Sequence, residues 1–243
     1  MNIVVFETET WAQTAWQRMK DDHEVSLLDE FLTSFNKGTF SIDGLMGFDL
    51  HGKTLAIIGT GVIGRHVGKI ARGFGMEVVA FDVKQDEQWA AANGIRYTSF
   101  KKALSMADVI TLHVPVTPDT HQLLADDQFA AMKEGAIIIN TARGELVDVQ
   151  ELASGKIAAA GLDVLPEEQA FLEGIKNPAT LFTGGQKLVT LLANHILLQH
   201  PNVCVTPHCA FFTREAVQRI LDITMANIEA FVRGEPQNMV VPM

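Results

Sequence analysis

A glycine-rich turn after an apolar run constrains this chain more than any other feature of its sequence. Residues 59–64 read GTGVIG and follow TLAII, which is predicted as a strand, and they open a predicted helix. Gly59 permits a tight turn, Gly61 lets the backbone approach a pyrophosphate, and Gly64 lets the helix pack close to the strand. The N-terminus of that helix offers free N–H groups and a positive dipole end to a phosphate. The pattern therefore predicts dinucleotide binding; the alternative is a purely structural glycine turn.

An acidic residue follows at the spacing that this interpretation requires. Asp82 ends the next predicted strand, EVVAFD, after the helix that Gly64 opens. A carboxylate there can accept hydrogen bonds from ribose hydroxyls and repel a 2′-phosphate, which favours NAD over NADP. Arg65 and Lys84 are neighbouring cations that count against a strict preference.

Strand and helix patterns alternate along the whole chain, which predicts an α/β fold with a doubly wound parallel sheet. Strands buried on both faces need not alternate apolar and polar residues, and the apolar runs here are nearly continuous. The predicted strands are 2–6, 24–28, 54–59, 77–82, 95–97, 109–114, 136–140, 158–164 and 202–207. The predicted helices are 10–20, 62–75, 86–93, a short one capped by Ser99, 126–133, 148–154, 186–198 and 213–233.

Composition narrows the classes of partner. The chain has 243 residues, of which 47% are hydrophobic and 20% charged, and a net charge of −10 without a basic run. Nucleic acid and a membrane surface are therefore unexpected partners. The start of the chain does not resemble a signal peptide, and two cysteines form no disulfide framework, so a cytoplasmic location is expected. Cys204 and Cys209 are expected to be small core residues, and no metal site is predicted.

Three polar residues follow three predicted strands and are expected at one edge of the sheet. Arg143 follows AIIIN, Glu168 follows AAAGLDV, and His208 follows NVCVT. Ligands of such sheets bind at the carboxyl ends of the strands. Each residue also has an ordinary structural alternative: a surface ion pair, a solvated acidic loop and a core histidine, respectively.

The three side chains suit the reduction of a 2-keto acid by NADH. A planar guanidinium can bind the substrate carboxylate through two hydrogen bonds. An imidazolium can donate a proton to the carbonyl oxygen near neutral pH. A neighbouring carboxylate would favour the protonated ring and hold its tautomer. Arg143, His208 and Glu168 match these roles in that order.

Several stretches together resemble the D-isomer-specific 2-hydroxyacid dehydrogenases. They are GFDLHGKTLAIIGTGVIGRHVGKIARGFGMEVVAFD, LHVPVTPDTHQLL, INTARGELVD, GLDV followed by PEE, and NVCVTPHCAF. The resemblance implies a Rossmann-type domain, NAD as cofactor, and Arg143, Glu168 and His208 as catalytic residues. The run FFTREA after His208 looks most like the D-lactate dehydrogenase branch. A small 2-hydroxy or 2-keto acid, such as D-lactate or pyruvate, is then the expected substrate.

The resemblance also implies a set of contacts with NAD. These residues lie in the glycine-rich turn and after the later strands of the predicted sheet. They are Gly59, Gly61, Val62, Ile63, Gly64, Asp82, Val114, Pro115, Thr120, Thr141, Ala142, Arg143, Asp163 and His208.

The resemblance breaks at SFNKGTFSIDG, residues 34–44. Members of the family continue there through a flavodoxin-like substrate domain and a long helix that forms their dimer interface; roughly a hundred residues, a domain's worth, have no counterpart here. We expect a substrate-domain remnant at 1–46, with the C-terminal helix (213–243) returning to it, and an NAD-binding domain at 47–212. A homodimer is possible, but its usual helix is missing. The alternatives to an active dehydrogenase are a catalytically impaired NAD-binding module and a chain that needs a partner to fold.

Overall fold

The computed structural model describes residues 47–152, 157–168, 185–200 and 202–239. The predicted elements before residue 47 lie outside this part of the chain, as does the predicted substrate-domain remnant. The chain divides into two compact units, Met1–Val205 and Thr206–Met243, and each is treated by itself.

The first unit contains a seven-stranded sheet in which every paired strand is parallel. Its order is β3-β2-β1-β4-β5-β6-β7. The strands are β1 (Thr54–Ile58), β2 (Glu77–Phe81), β3 (Ile95–Tyr97), β4 (Val109–Leu112), β5 (Ile137–Asn140), β6 (Ala159–Leu162) and β7 (Val203–Val205). The strand order reverses between β1 and β4, and such a switch point is where doubly wound sheets bind ligands.

Helices connect the strands. They are α1 (Val62–Gly73), α2 (Glu87–Ala92), α3 (Phe100–Met106), α4 (Asp126–Ala131), α5 (Val149–Leu152) and α6 (Gly185–Gln199), with a 3₁₀ turn at Gly144–Leu146. The predicted α/β fold with a doubly wound parallel sheet is thereby confirmed. Ser99 is the N-cap of α3, as predicted, although its hydroxyl makes no capping hydrogen bond.

Strand β1 shows why the sheet is covered on both faces. Ala56 and Ile58 belong to one buried cluster, whereas Leu55 and Ile57 belong to a second. Successive side chains of a strand point to opposite faces, so the two clusters lie on opposite sides of the sheet. An apolar run of this kind has no exposed face, which explains why the sequence shows no alternation there.

The prediction that Cys204 and Cys209 are core residues is wrong. Cys204 lies in β7, and both Cys204 and Cys209 are exposed, so neither is a core residue. Strand β7 pairs only with β6 among the described strands, and none of its three residues is fully buried. Residues of an edge strand are less covered than those of the central strands, and the local sequence does not reveal that position in the sheet.

The second unit contains one long helix, α7 (Arg214–Val232). The Ala216 N–H donates to the Thr213 hydroxyl at 3.1 Å, which caps the helix start. Gly234 has φ +79° just beyond the end of the helix, the conformation in which a glycine commonly terminates a helix. Apolar side chains of this helix, including Ile220, Leu221 and Phe231, are half-exposed or more. The predicted return of this helix to the substrate-domain remnant at 1–46 lies outside the described residues.

Candidate cofactor and active site

The glycine-rich turn between β1 and α1 is formed by glycines with different surroundings. Gly59 has φ +98°, and a Cβ added to it would lie 2.6 Å from the His113 carbonyl oxygen. A Cβ on Gly64 would overlap the Gly59 carbonyl oxygen and lie 3.2 Å from the Ile57 side chain. A Cβ on Gly61 would have nothing within 4 Å. Two glycines therefore allow close packing, and the third faces open space at the start of the helix.

The N-terminus of α1 is suited to an anion. Gly61 is its N-cap and supplies no side-chain hydrogen bond, and the first turn has no acidic residue. The first N–H groups of a helix have no partner within it, and they carry the positive end of its dipole. Val62 and Ile63 are 77% and 66% exposed beside these groups. The arrangement offers both hydrogen-bond donors and apolar surface to a dinucleotide.

Asp82 follows β2 and is held against the same turn. Its Oδ2 accepts from the Thr60 N–H at 2.6 Å and from the Thr60 hydroxyl at 3.0 Å. Its Oδ1 accepts from the Lys84 N–H at 2.8 Å. Burial acts to raise the pKa of Asp82, but the hydrogen bonds from Lys84 and Thr60 outweigh it and lower that pKa overall. The carboxylate is therefore ionised at neutral pH and retains acceptor capacity on Oδ1 for a ribose hydroxyl.

The loop after β4 borders the glycine turn. A Cβ on Gly59 would lie 2.8 Å from the Val114 side chain, so this loop and the turn are in close contact. The Thr120 hydroxyl donates to the Pro115 carbonyl at 2.7 Å and accepts from the Thr117 N–H at 2.7 Å. Three of the predicted NAD contacts thus lie in one loop whose shape depends on the hydroxyl of Thr120.

His113, at the start of that loop, is a largely buried residue that contacts a neighbouring strand side chain. Its Nε2 lies 3.0 Å from the Thr111 hydroxyl. Burial lowers the pKa of His113, so the ring is neutral at neutral pH.

Arg143 lies on the turn after β5, as predicted. Asn140, the last residue of β5, is buried and forms the frame of this turn. Its side-chain amide donates to the Arg143 carbonyl at 2.8 Å and accepts from the Ala142 N–H at 3.0 Å. The Arg143 guanidinium donates to the Ala142 carbonyl at 2.6 Å, and Thr141 and Arg143 are exposed. The turn therefore presents both side chains to solvent from a fixed backbone.

Glu168 lies on the loop after β6, next to the Arg143 turn. A Cβ on Gly144 would overlap the backbone of Leu165 and Pro166, so the two loops are in direct contact. The Leu165 N–H donates to Glu168 Oε1 at 3.0 Å. Asp163, at the start of this loop, is buried, and its N–H donates to the Asn140 carbonyl at 2.9 Å.

His208 belongs to the second unit. It has φ +52°, its N–H donates to the Thr206 carbonyl at 2.9 Å, and its ring meets the edge of Phe211 with the ring centroids 6.2 Å apart. Because Arg143 and Glu168 belong to the first unit, a joint site with His208 stays a prediction. Positive φ is uncommon outside glycine, and both His208 and Glu167, at φ +56°, have it.

Sequence reasoning missed two buried amides that hold the functional loops. Asn140 holds the Arg143 turn, and the Asn194 side chain of α6 donates to the Pro166 carbonyl at 2.8 Å. The only signal at Asn140 was a polar residue at the end of an apolar strand, and Asn194 lay among the leucines and isoleucine of a predicted helix that also carries other polar residues.

The described residues contain neither a candidate metal site nor a candidate membrane-spanning helix. Within them, no group of three His, Cys, Asp or Glu side chains could hold a metal ion. No described helix combines the length and apolar character that a membrane crossing requires.

An open glycine at a helix N-terminus, an ionised carboxylate after β2 and a strand-order switch together fit a dinucleotide. These features define a dinucleotide-binding domain of the doubly wound type.

Comparison with known proteins identifies the family. Residues 25–210 match the model of the D-isomer specific 2-hydroxyacid dehydrogenase, NAD binding domain. A glycerate dehydrogenase of Methylorubrum extorquens is 40% identical over 197 residues, which are 79% of this chain and 54% of that protein. The pyruvate reductase of Chlamydomonas reinhardtii has a TM-score of 0.75 and 32% identity, over 94% of this chain and 67% of its own. The D-lactate dehydrogenase of Aquifex aeolicus, solved with NAD and lactic acid, has a TM-score of 0.74 and 33% identity, over 93% of this chain and 67% of its own.

The chain belongs to the D-isomer-specific 2-hydroxyacid dehydrogenase family and carries its NAD-binding domain. The predicted family and the predicted cofactor, NAD, are confirmed. The chain spans about half the length of the curated relative, 54%.

Proposed function

We propose that this chain is an NAD-dependent oxidoreductase that interconverts a small 2-hydroxy acid and the corresponding 2-keto acid. The observation that carries the proposal is the NAD cradle of Gly61 and Asp82 in the same unit as the exposed Arg143. NADH supplies a hydride to the 2-carbon of the keto acid, and a proton completes the hydroxyl group, which leaves NAD⁺ and the 2-hydroxy acid.

Arg143, Glu168 and His208 are the proposed catalytic residues. Arg143 binds the substrate carboxylate, because its guanidinium is exposed on a turn whose backbone Asn140 holds. His208 donates or accepts the proton at the substrate 2-oxygen. Glu168 orients that imidazole. Contact between the Gly144 and Leu165 backbones supports placing the loops of Arg143 and Glu168 at one site.

D-lactate and pyruvate are the proposed substrate pair. Support comes from the FFTREA run after His208 and from solved relatives described as a pyruvate reductase and a D-lactate dehydrogenase. A relative named glycerate dehydrogenase makes glycerate and hydroxypyruvate the first alternatives to test. The cytoplasmic location, the homodimer and the domain boundaries at residues 46–47 and 212–213 stay predictions.

A second candidate is an NAD-binding module with impaired catalysis. It is favoured by the break in the family resemblance at residues 34–44, where a predicted domain's worth of sequence has no counterpart. A positioned acid/base contributes about 10²–10⁴ in rate, whereas positioning of both reactants can contribute ~7–11 kcal/mol. The second, larger contribution depends on walls around the substrate, and the predicted substrate domain is reduced to residues 1–46.

Two measurements on the same preparation separate the candidates. The first is a calorimetric titration with NADH, and the second is NADH oxidation with pyruvate, hydroxypyruvate, glyoxylate and larger 2-keto acids. His208→Ala should lower turnover by about 10²–10⁴ and change NADH affinity far less, whereas His195→Ala, the same change at an exposed position of α6, should change neither. Binding without turnover above the His208→Ala level would leave only the module. Absence of NADH binding would refute both candidates.

A further inference from the structure

Two charged residues beside the NAD cradle are paired with each other. The Arg65 guanidinium and the Asp86 carboxylate are 2.9 Å apart, with 36% and 41% of their side chains exposed. The Arg65 Nε–H also donates to the Thr60 carbonyl at 2.9 Å, and its guanidinium carbon lies 4.8 Å from the centroid of the Trp89 ring. Arg65 is therefore held from three sides.

This pair lies at the part of the cradle that distinguishes NAD from NADP. Thr60 accepts from Arg65 through its carbonyl and donates to Asp82 through its N–H and its hydroxyl. One residue thus connects the ribose-binding carboxylate to the arginine. An arginine in this region is the group that accommodates a 2′-phosphate in NADP-binding domains, and a carboxylate is the group that excludes it.

Asp86 is well placed to hold the arginine. It is the N-cap of α2, and its carboxylate accepts from the Trp89 N–H at 3.0 Å. Hydrogen bonds from the Trp89 N–H and from Arg65 lower the pKa of Asp86, so it is anionic at neutral pH. The carboxylate therefore has a fixed position and a charge opposite to that of Arg65.

We propose that Asp86 is a second determinant of NAD selectivity, which acts by engaging Arg65 and so withholding its guanidinium from a 2′-phosphate. The inference rests on the proposed NAD binding and explains how an arginine next to the ribose site is compatible with it. Lys84 is the other nearby cation; its N–H donates to Asp82, and its side chain is exposed.

Asp86→Asn tests the proposal with little effect on the fold, because asparagine is as good an N-cap as aspartate. Kd values for NADH and NADPH are measured by fluorescence titration, with no turnover required. NADPH affinity relative to NADH should rise about two- to fivefold, the range expected for loss of an exposed ion pair. The rise should be larger at low salt, where the Debye length is ~30 Å at 0.01 M against ~8 Å at 0.15 M. If Asp86→Asn has a lower Tm than the unaltered protein, Asp86→Ser, which also keeps a capping side chain, replaces it in the titrations.

Double variants identify the residue through which Asp86 acts. The gain should disappear in Arg65→Gln/Asp86→Asn and persist in Lys84→Gln/Asp86→Asn. Asp127→Asn removes the same charge at an exposed position in α4, far along the chain. It should leave the affinity for NADPH relative to NADH unchanged. An equal change in both affinities, or a gain that survives Arg65→Gln, would overturn the inference while leaving NAD binding intact. If the unaltered chain binds neither nucleotide, the inference and the proposed function fall together.

Discussion

Gly64→Ala should destabilise the protein, although alanine is the better helix former. Gly64 lies in the first turn of α1, where a Cβ would overlap the Gly59 carbonyl oxygen and lie 3.2 Å from Ile57 Cγ2. The first of these atoms belongs to the backbone of the same glycine turn, so no side chain can rotate away. The helix must instead move away from β1.

The opposing effects can be compared in magnitude. Alanine in place of glycine within a helix contributes about 1 kcal/mol of stability. Overpacking costs about 1–3 kcal/mol, and an overlap with backbone belongs at the upper end. We therefore expect a net loss of about 2 kcal/mol. For a chain of this size each kcal/mol lowers Tm by about 2–4 °C, so Tm should fall by about 4–8 °C.

Gly61→Ala is the matched control, and it should change NADH affinity rather than stability. Gly61 has φ −66° and ψ −170°, which alanine adopts without strain, and an added Cβ meets nothing within 4 Å. A stiffer unfolded chain contributes ~0.4–1 kcal/mol, and a poorer N-cap cancels most of it. Tm should hardly change, whereas NADH affinity should fall because the methyl group occupies the space in front of the helix N-terminus.

The assay is thermal unfolding of the two variants by circular dichroism, followed by NADH titration of each at a temperature where both are folded. The reasoning is refuted if Gly64→Ala melts with the unaltered protein, or if Gly61→Ala lowers Tm and leaves NADH affinity unchanged. Either result would mean that the open space at Gly61 and the close contact at Gly64 have been assigned the wrong roles.

Other changes test individual contacts. Asn140→Ala should cost about 1–3 kcal/mol in urea unfolding, because the Arg143 carbonyl loses its buried donor. The folded-state pKa of Asp82 lies below the ordinary 3.8, so its stabilisation is complete above that pH and is lost as pH falls below it. Asp82→Asn should therefore reduce the fall of Tm that accompanies acidification below about pH 4. Lys133→Met removes the 2.9 Å ion pair with Asp108 and should cost at most ~1 kcal/mol, with acid destabilisation beginning at a higher pH.

The sheet could be predicted from sequence because its signals are local. The apolar runs gave all seven described strands, with errors at their ends. The run 109–114 illustrates one such error, since β4 ends at Leu112. The next residue, His113, contacts the glycine turn, and Pro115 has no N–H to donate to a strand partner. The end of this strand is thus set by a neighbour that lies more than fifty residues earlier in the chain.

The side-chain arrangement of the candidate site could be predicted only in part. The roles of the glycines in the turn at 59–64 can be predicted from their spacing, because the backbone requires glycine at fixed intervals there. The chain of contacts from Asp82 through Thr60 to Arg65 and Asp86 has no such spacing rule. These contacts depend on the packing of the turn after β1 against the loop after β2. From the sequence alone, a polar residue in either loop would be predicted to face solvent.

Buried amides also fix the loops of Arg143 and Glu168. Asn140 and Asn194 are fully or almost fully buried and donate to the Arg143 and Pro166 carbonyls, respectively. Burying an amide without partners is costly, so Asn140, which both donates and accepts, strongly favours the loop conformation that satisfies it. The Asn194 Nδ2 is likewise bonded, whereas its Oδ1 has no hydrogen-bond partner among the described residues. The positions of the Arg143 and Glu168 loops therefore depend on residues that would never contact substrate. Both donors belong to the first unit, so contacts within that unit are enough to hold the geometry of these two loops.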